Sequence, residues 1–209
     1  MNTINDITIN ISNMYQFFNK ELDAKLPDDV VFALIPNQGR SHYLGWFARS
    51  RWVRGEEKLH EINIASDKLN RTVDEIAETL IHEMVHLCNF LADIKDCNRQ
   101  QYHNKKFKSR AESFGLNVER VKNKGYAHTS LGDKAQAMVD KYQTEILNGA
   151  NPFIIHRVTE LKDIGMGSDK RMVAINGNVA DNIIQITGGK LSKSVNGILI
   201  DWLKNKETA

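Results

Sequence analysis

The stretch TVDEIAETLIHEMVHLCNFLADIK, residues 72–95, is marked as a helix more clearly than any other part of the chain. Thr72 and Glu75 have the capping-box spacing, in which a hydroxyl and a carboxylate three residues later cap the first turn. Apolar residues then recur at helical spacing, which predicts one buried face. These residues are Val73, Ile76, Ala77, Leu80, Met84, Leu87 and Cys88. The sequence therefore predicts a helix that begins after Thr72 and ends near Lys95.

Residues 82–86 of this helix read HEMVH, a pattern typical of a zinc site. Residues four apart share a helical face, so His82 and His86 can direct two imidazoles at one ion. Glu83 is rotated to one side, where its carboxylate can take a proton from water activated by zinc. The alternative is a solvated helix with two incidental histidines, which is disfavoured because the motif interrupts an apolar run. The pattern predicts peptide hydrolysis with Glu83 as general base.

A catalytic zinc site needs a third protein ligand and an open position. Asp93 is a poor candidate because it lies further along the same predicted helix. His103, at the start of the next predicted helix, can fold back onto the face of the first two histidines. Glu112 is the second choice and Glu119 a further alternative, since imidazole and carboxylate both bind zinc.

The chain before the motif predicts one helix and a small sheet. Residues 9–24 have the apolar spacing of an amphipathic helix. Three strand-like segments follow, and the turn residues between them favour an antiparallel meander. The predicted strands are Val30–Ile35, Tyr43–Val53 and His60–Ala65.

The sequence after the motif predicts two more helices, followed by a segment of different composition. The helices span about residues 103–114, with Gly115 suited to the C-terminal cap, and 131–147. Beyond them the sequence has short apolar runs between glycines and asparagines. We expect one domain over residues 1–150 and a small, mostly β appendage over 151–209.

Composition excludes several classes of protein. Cys88 and Cys97 are the only cysteines and form no CxxC pair, which excludes a disulfide scaffold and a four-cysteine zinc site. The apolar runs are too short to cross a bilayer, so no membrane partner is expected. The N-terminus lacks the pattern of a secretory signal, which favours a cytoplasmic location. The oligomeric state cannot be inferred from the sequence.

One part of the chain is strongly basic. Residues 99–124 contain eight basic and two acidic side chains, whereas residues 1–98 contain ten basic and fifteen acidic ones. Such a stretch can bind DNA, because neutralised phosphates release their counterions. The alternative is a solvated helix face. The candidate nucleic-acid contacts are Lys105, Lys106, Lys108 and Arg110.

Two segments, TLIHEMVH at residues 79–86 and HNKKF at 103–107, resemble motifs of one known family, the SprT-like (Spartan-like) metallopeptidases. The first is similar to that family's TLxHEMxH helix, and the second is similar to its H-G-x-x-F helix start. Similar segments are LGWF at 44–47, EINI at 61–64 and YAHT at 126–129. The resemblance covers about residues 10–147.

This resemblance implies an α+β fold with a zincin-like core, zinc bound by His82, His86 and His103, and Glu83 as the catalytic base. It implies cleavage of protein or peptide substrates, in the best-known members proteins held on DNA. Two features depart from the family. Asn104 replaces the usual glycine, and residues 153–209 contain no cysteines for the zinc ribbon that many relatives carry. A ribbon-like β unit without metal is the remaining expectation there.

Two further residues and two alternative functions stay open from the sequence. Tyr126 and His128 can stabilise the oxyanion of the attacked carbonyl, although a packing role or a hydrogen bond to a ligand is an equal alternative. Instead of a peptidase, the chain can be a DNA-binding module with a structural metal, or an inactive scaffold for protein interactions.

Overall fold

The computed structural model describes residues 3–37 and 43–155, together with the backbone of residues 170–174 and 183–187. The chain forms two compact units, Met1–Arg157 and Val158–Ala209. The described part of the second unit is an antiparallel pair of strands, Lys170–Ala174 and Ile183–Thr187. The predicted ribbon-like outline of residues 153–209 lies largely outside the described residues.

The first unit is α+β. Its helices are α1 (Ile4–Glu21), α2 (Val73–Leu91), α3 (Lys105–Ser113) and α4 (Asp133–Glu145), with a short 3-10 helix at Ser66–Lys68. Its strands are β1 (Val31–Ala33), β2 (Gly45–Arg54), β3 (Glu57–Ile64), β4 (Leu116–Val121) and β5 (Gly125–Leu131).

The three-stranded sheet is mixed, so the predicted antiparallel meander is wrong. The strand order is β1-β3-β2, with β2 antiparallel and β1 parallel to β3. Gly45 pairs with Ile64, so the first residue of β2 lies beside the last residue of β3. Because β3 lies between them, β1 and β2 are not neighbours joined as a hairpin, and β1 runs parallel to β3. The turn residues Asn37-Gln38-Gly39, which favoured a hairpin between the first two predicted strands, lie partly outside the described residues.

Helix α2 begins as predicted and ends early. The Thr72 side chain accepts from the Glu75 amide at 3.2 Å, and the Glu75 carboxylate accepts from the Thr72 amide at 2.8 Å, which confirms the capping box. The helix stops at Leu91, four residues before the predicted end, because Asp93 has a left-handed backbone with φ +54°. The apolar face of α2 is buried in the same core as α1 and α4.

The chain between α3 and α4 forms a β-hairpin, β4–β5, that the sequence did not predict. Helix α3 is shorter than expected, because Asn104 caps its first turn by accepting from the amides of Lys106 and Phe107. Gly115 ends it with φ +93°, which confirms the predicted C-terminal cap. Among the described residues, no helix is both long and apolar enough to cross a membrane.

Candidate metal centre

Three histidines from two parts of the chain converge in the first unit. His82 and His86 lie one turn apart on α2, and His103 lies two residues before α3. One ligand nitrogen from each ring falls within 4.8 Å of the others. The Nε2 atoms of His86 and His103 are 3.1 Å apart. This arrangement can hold one metal ion.

The backbone of the β4–β5 hairpin holds His103 in place. The His103 amide donates to the Lys124 carbonyl at 3.0 Å, and the Tyr126 amide donates to the His103 carbonyl at 3.0 Å. Gly125 between them has φ +67°, and a side chain there would overlap the His103 carbonyl oxygen. His103 was predicted at the start of a helix, but it sits on this extended bridge instead.

Each imidazole has its Nδ1 atom occupied by a protein partner. His86 Nδ1 lies 2.8 Å from Asp96 Oδ2, which also accepts from Asn89 Nδ2 at 3.0 Å. His103 Nδ1 lies 3.1 Å from the Gln101 carbonyl oxygen. His82 Nδ1 lies 3.1 Å from Thr129 Oγ1. A hydrogen bond at Nδ1 leaves Nε2 as the ligand atom, which is how metal-binding histidines are commonly oriented. The donor set therefore fits a metal.

Phe107 forms an apolar floor beneath the three rings. It is fully buried, and its ring centre lies 4.7, 4.8 and 4.5 Å from those of His82, His86 and His103. A dry floor limits the movement of the imidazoles and strengthens electrostatic interactions above it. The phenylalanine of the HNKKF segment thus belongs to the centre as well as to the core.

Burial sets the charge state of the imidazoles. It lowers the pKa of His82 well below the usual range and, together with the charge of His86, lowers the pKa of His103 to about 4. For His86 burial acts in the same direction, but the hydrogen bond to Asp96 and the negative charges of Glu83 and Asp96 together outweigh it, and the pKa is raised. At neutral pH, His82 and His103 are therefore neutral and can offer lone pairs to a metal.

Glu83 lies beside the cluster but outside it. Its side chain is buried, and it accepts a hydrogen bond from the backbone amide of Phe47 on β2. Burial raises the pKa of Glu83 to about 7. Gly45 allows this close approach of strand and helix, because a Cβ there would lie 2.9 Å from Thr79 Cγ2 on α2. A carboxyl group whose pKa lies near neutrality is suited to proton transfer.

Two cavities, of about 710 and 530 Å³, meet at the cluster. The first extends past Phe90 and along residues 93–99, and the second extends past Glu78 and the strand residues 127–129. Both are lined by Tyr43, Gly45, His82, Glu83, Gln101 and His103. Among the described residues, the centre therefore lies in a cleft that extends away from it in two directions.

Of the other predicted site residues, His128 lines the cleft, whereas Glu112, Glu119 and Tyr126 do not. Neither Glu112 nor Glu119 belongs to a group of potential metal ligands among the described residues. Glu112 is exposed and pairs with Lys108 at 3.4 Å. His128 is exposed and lines the smaller cavity, whereas Tyr126 lies under the Lys108 ammonium, 5.3 Å from the ring centre, and lines neither cavity.

The predicted nucleic-acid contacts fall into two pairs. Lys105 and Lys106 are exposed on α3. Lys108 and Arg110 are half-buried and already have partners, since Lys108 contacts Glu112 and Arg110 Nε donates to Asn89 Oδ1 at 3.3 Å.

Sequence reasoning missed the polar residues behind the ligands. Asp96 and Thr129 each contact a histidine, but they lie 10 and 47 residues from it along the chain. No local spacing links them to the motif, and Thr129 was noticed only as part of the YAHT segment. A second group of potential ligands, His86, Asp96 and Cys97, shares His86 with the centre and is not a separate site.

Comparison with known proteins identifies a family. The family model described as "SprT-like family" matches residues 12–127, which is more than half of the chain and includes every residue of the cluster. Curated proteins and solved structures give no significant match. On the strength of the family match, the chain belongs to the SprT-like family.

Proposed function

We propose that this chain is a zinc-dependent metalloendopeptidase. The observation that carries the proposal is the convergence of His82, His86 and His103 next to a buried carboxylate, Glu83, in an open cleft. Three imidazoles are a common ligand set for a catalytic zinc, and they leave one coordination position for chemistry. The zincin-like core is part of this proposal.

In the proposed reaction, the three histidines bind the metal and Glu83 transfers the proton. His82, His86 and His103 would hold the ion through Nε2. Zinc, when bound, supplies the Lewis acidity that makes water a nucleophile near neutral pH. The Glu83 carboxylate accepts the proton of the attacking water and then donates it to the leaving amine nitrogen. Its raised pKa suits both steps, because the group must be ionised first and protonated afterwards.

We assign oxyanion stabilisation to His128 in preference to Tyr126. His128 lines a cavity that His82 and His103 also line, whereas Tyr126 faces Lys108 outside both cavities. A donor must reach the place where negative charge develops, and only His128 lies on the wall of the cleft.

The cleft favours an extended polypeptide as substrate. Strand β2 is at the edge of its sheet, and its residues 45–47 line the larger cavity beside Glu83. An extended chain can pair with such an edge through its main chain. Because the cleft continues on both sides of the centre, it accommodates a chain that extends past the scissile bond in both directions.

The first test compares three variants of the full chain. We expect Glu83→Gln to retain zinc and lose cleavage of an unfolded protein by about a thousandfold or more, because it removes the base without removing a ligand. His103→Ala should lose zinc, whereas the matched control Glu112→Ala should keep both zinc and activity. Full activity in Glu83→Gln would refute the peptidase, and purified wild type without metal would favour an inactive scaffold.

A DNA-directed role is a second proposal, supported by exposed positive charge near the cleft. Lys105 and Lys106 on α3 are exposed, and so are Arg120, Lys122 and Lys124 on the β4–β5 hairpin. Arg99 and Lys124 line opposite cavities of the cleft. A polyanion bound across this surface would bring associated proteins to the centre.

The test for this role measures DNA binding by fluorescence anisotropy at two salt concentrations. Lys105→Ala with Lys106→Ala should weaken binding about tenfold at low salt, and Lys58→Ala, an exposed lysine on β3, should not. If the wild-type protein cleaved no substrate and Glu83→Gln bound DNA as tightly as wild type, the results would favour a binding module with a structural metal. A DNA affinity that changed neither with salt concentration nor in the Lys105→Ala, Lys106→Ala variant would contradict the role.

A further inference from the structure

Thr129 connects a ligand of the metal centre to a carboxylate that lies outside it. Its side chain is buried on β5, and its Oγ1 atom lies 3.1 Å from His82 Nδ1. The same hydroxyl donates a short hydrogen bond to Glu78 Oε1. Glu78 lies one turn before His82 on α2, so the threonine bridges two side chains of the same helical face.

The direction of these hydrogen bonds fixes the tautomer of His82. A hydroxyl has one proton, and Thr129 donates it to Glu78 Oε1. Burial raises the pKa of Glu78, and the hydrogen bond from Thr129 acts against that shift because it favours the ionised carboxylate. The Thr129 oxygen can therefore only accept from His82, so Nδ1 must carry the imidazole proton. The lone pair of His82 is then on Nε2, where a metal would be bound.

The three ligands are oriented by different means. His86 Nδ1 meets the Asp96 carboxylate directly, and His103 Nδ1 meets the Gln101 backbone carbonyl. At His82 the hydroxyl of Thr129 stands between the imidazole and the carboxylate. A carboxylate behind a histidine ligand makes the imidazole more basic, and a hydroxyl can pass on part of that effect through polarised hydrogen bonds.

We propose that Thr129 and Glu78 are positioning residues for the centre: the Glu78–Thr129–His82 chain fixes the tautomer and ring orientation of His82 and thereby strengthens metal binding. This inference rests on the proposed function, since it assumes that His82 is a ligand. Strand pairing and burial alone would not require a hydroxyl at position 129, so the proposal gives the threonine of the YAHT segment a specific role.

The test measures zinc affinity of the full chain by competition with a chromophoric chelator, and ligand geometry from the visible absorption of the cobalt-substituted protein. Thr129→Val keeps the shape and removes the hydroxyl, and we expect it to weaken zinc binding about 10- to 100-fold and to change the cobalt spectrum. Thr129→Ser restores the hydroxyl and should bind zinc within about threefold of wild type.

Glu78→Gln keeps an acceptor for Thr129 and removes its charge, so it should weaken zinc binding less than Thr129→Val does, by about 3- to 10-fold. Ser130→Ala is the matched control, because Ser130 is exposed on the same strand next to Thr129. It should leave zinc affinity and spectrum unchanged.

Two results would overturn the proposal without touching the proposed function. One is a Thr129→Val protein that binds zinc within twofold of wild type with an unaltered cobalt spectrum. The other is a Thr129→Ser protein as impaired as Thr129→Val, which would show that packing and not the hydroxyl matters. Wild type that binds no zinc would instead remove the proposed function and this inference together.

Discussion

Among single residues, the acceptor behind each histidine decides which nitrogen faces the centre. Asp96 is the clearest case, because its carboxylate accepts from both His86 and Asn89 while remaining largely buried. Burial alone would raise the pKa of Asp96, but the hydrogen bonds from His86 and Asn89 and the nearby histidine charges together outweigh it, and the pKa is lowered. The ionised carboxylate is thus held where it can polarise a ligand.

We predict that Asp96→Asn weakens zinc binding about tenfold, because an amide oxygen can still accept from His86 but carries no charge. Chelator competition measures the change. Asp93→Asn is the matched control: Asp93 is exposed and has φ +54°, a conformation that asparagine tolerates. Equal zinc affinity in wild type and Asp96→Asn would contradict the prediction.

Some residues of the centre could be predicted from the sequence, and others could not. The spacing of His82 and His86 has a fixed meaning on any helix, so their shared face could be predicted before the fold was known. His103 had to be chosen from several side chains, since its approach depends on a loop and a hairpin. Asp96 and Thr129 could not be predicted, because tertiary contacts alone bring them to the ligands.

Among the secondary-structure elements, the β4–β5 hairpin matters most to the centre. It supplies the backbone atoms that hold His103 and the side chain of Thr129 that contacts His82. Its strands escaped prediction because the pairing shifts between Glu119 and Val121, which interrupts the alternation of apolar and polar residues. The direction of β1 was mispredicted for a related reason, since a long connection does not specify which neighbour a strand pairs with.

Gly125→Ala should damage this hairpin more than backbone strain alone explains. A side chain at Gly125 would overlap the His103 carbonyl, whereas Gly55, with a similar φ of +62°, has open space around it. We expect Gly55→Ala to cost about 1 kcal/mol of unfolding free energy and Gly125→Ala about 3 kcal/mol, with weaker zinc binding as well.

Urea unfolding of the metal-free proteins measures the two free energies, and chelator competition measures zinc affinity. Gly55→Ala is the control for the left-handed backbone, because it has the strain without the overlap. If both variants lost the same stability and bound zinc equally well, Gly125 would have no special role in placing His103.

The capping box of α2 offers a test of the helix that carries the motif. Thr72→Ala removes the hydroxyl that accepts from the Glu75 amide, and we expect a loss of about 1 kcal/mol in unfolding free energy. Thr8→Ala is the control, because the Thr8 hydroxyl only returns to the Ile4 carbonyl within α1. That change should be neutral or slightly stabilising, so equal losses in a thermal melt would be evidence against the cap.

At the scale of the whole molecule, every described residue of the centre comes from the unit Met1–Arg157. We therefore predict that a chain ending at Arg157 folds and binds zinc as tightly as the full chain. Circular dichroism and chelator competition on both proteins measure this. A shortened chain that remains unfolded, or that loses zinc, would show that residues 158–209 are needed for the centre.

The last prediction concerns the coupling of metal binding to folding. The ligands lie on α2 and on the bridge before α3, so an unfolded chain cannot present them together, and zinc should bind the native state preferentially. Zinc at about a thousand times its dissociation constant should then add about 4 kcal/mol to the unfolding free energy. For a chain of this size that corresponds to a rise of roughly 10 °C in Tm.

Removing one ligand should remove this increment, whatever it does to the metal-free protein. His103→Ala should therefore melt at nearly the same temperature with and without zinc, and Glu112→Ala should show the wild-type rise. A zinc-dependent rise that persists in His103→Ala would mean that the other two histidines bind the ion without the bridge. The hairpin contacts that hold His103 would then serve the fold of this region and not the metal.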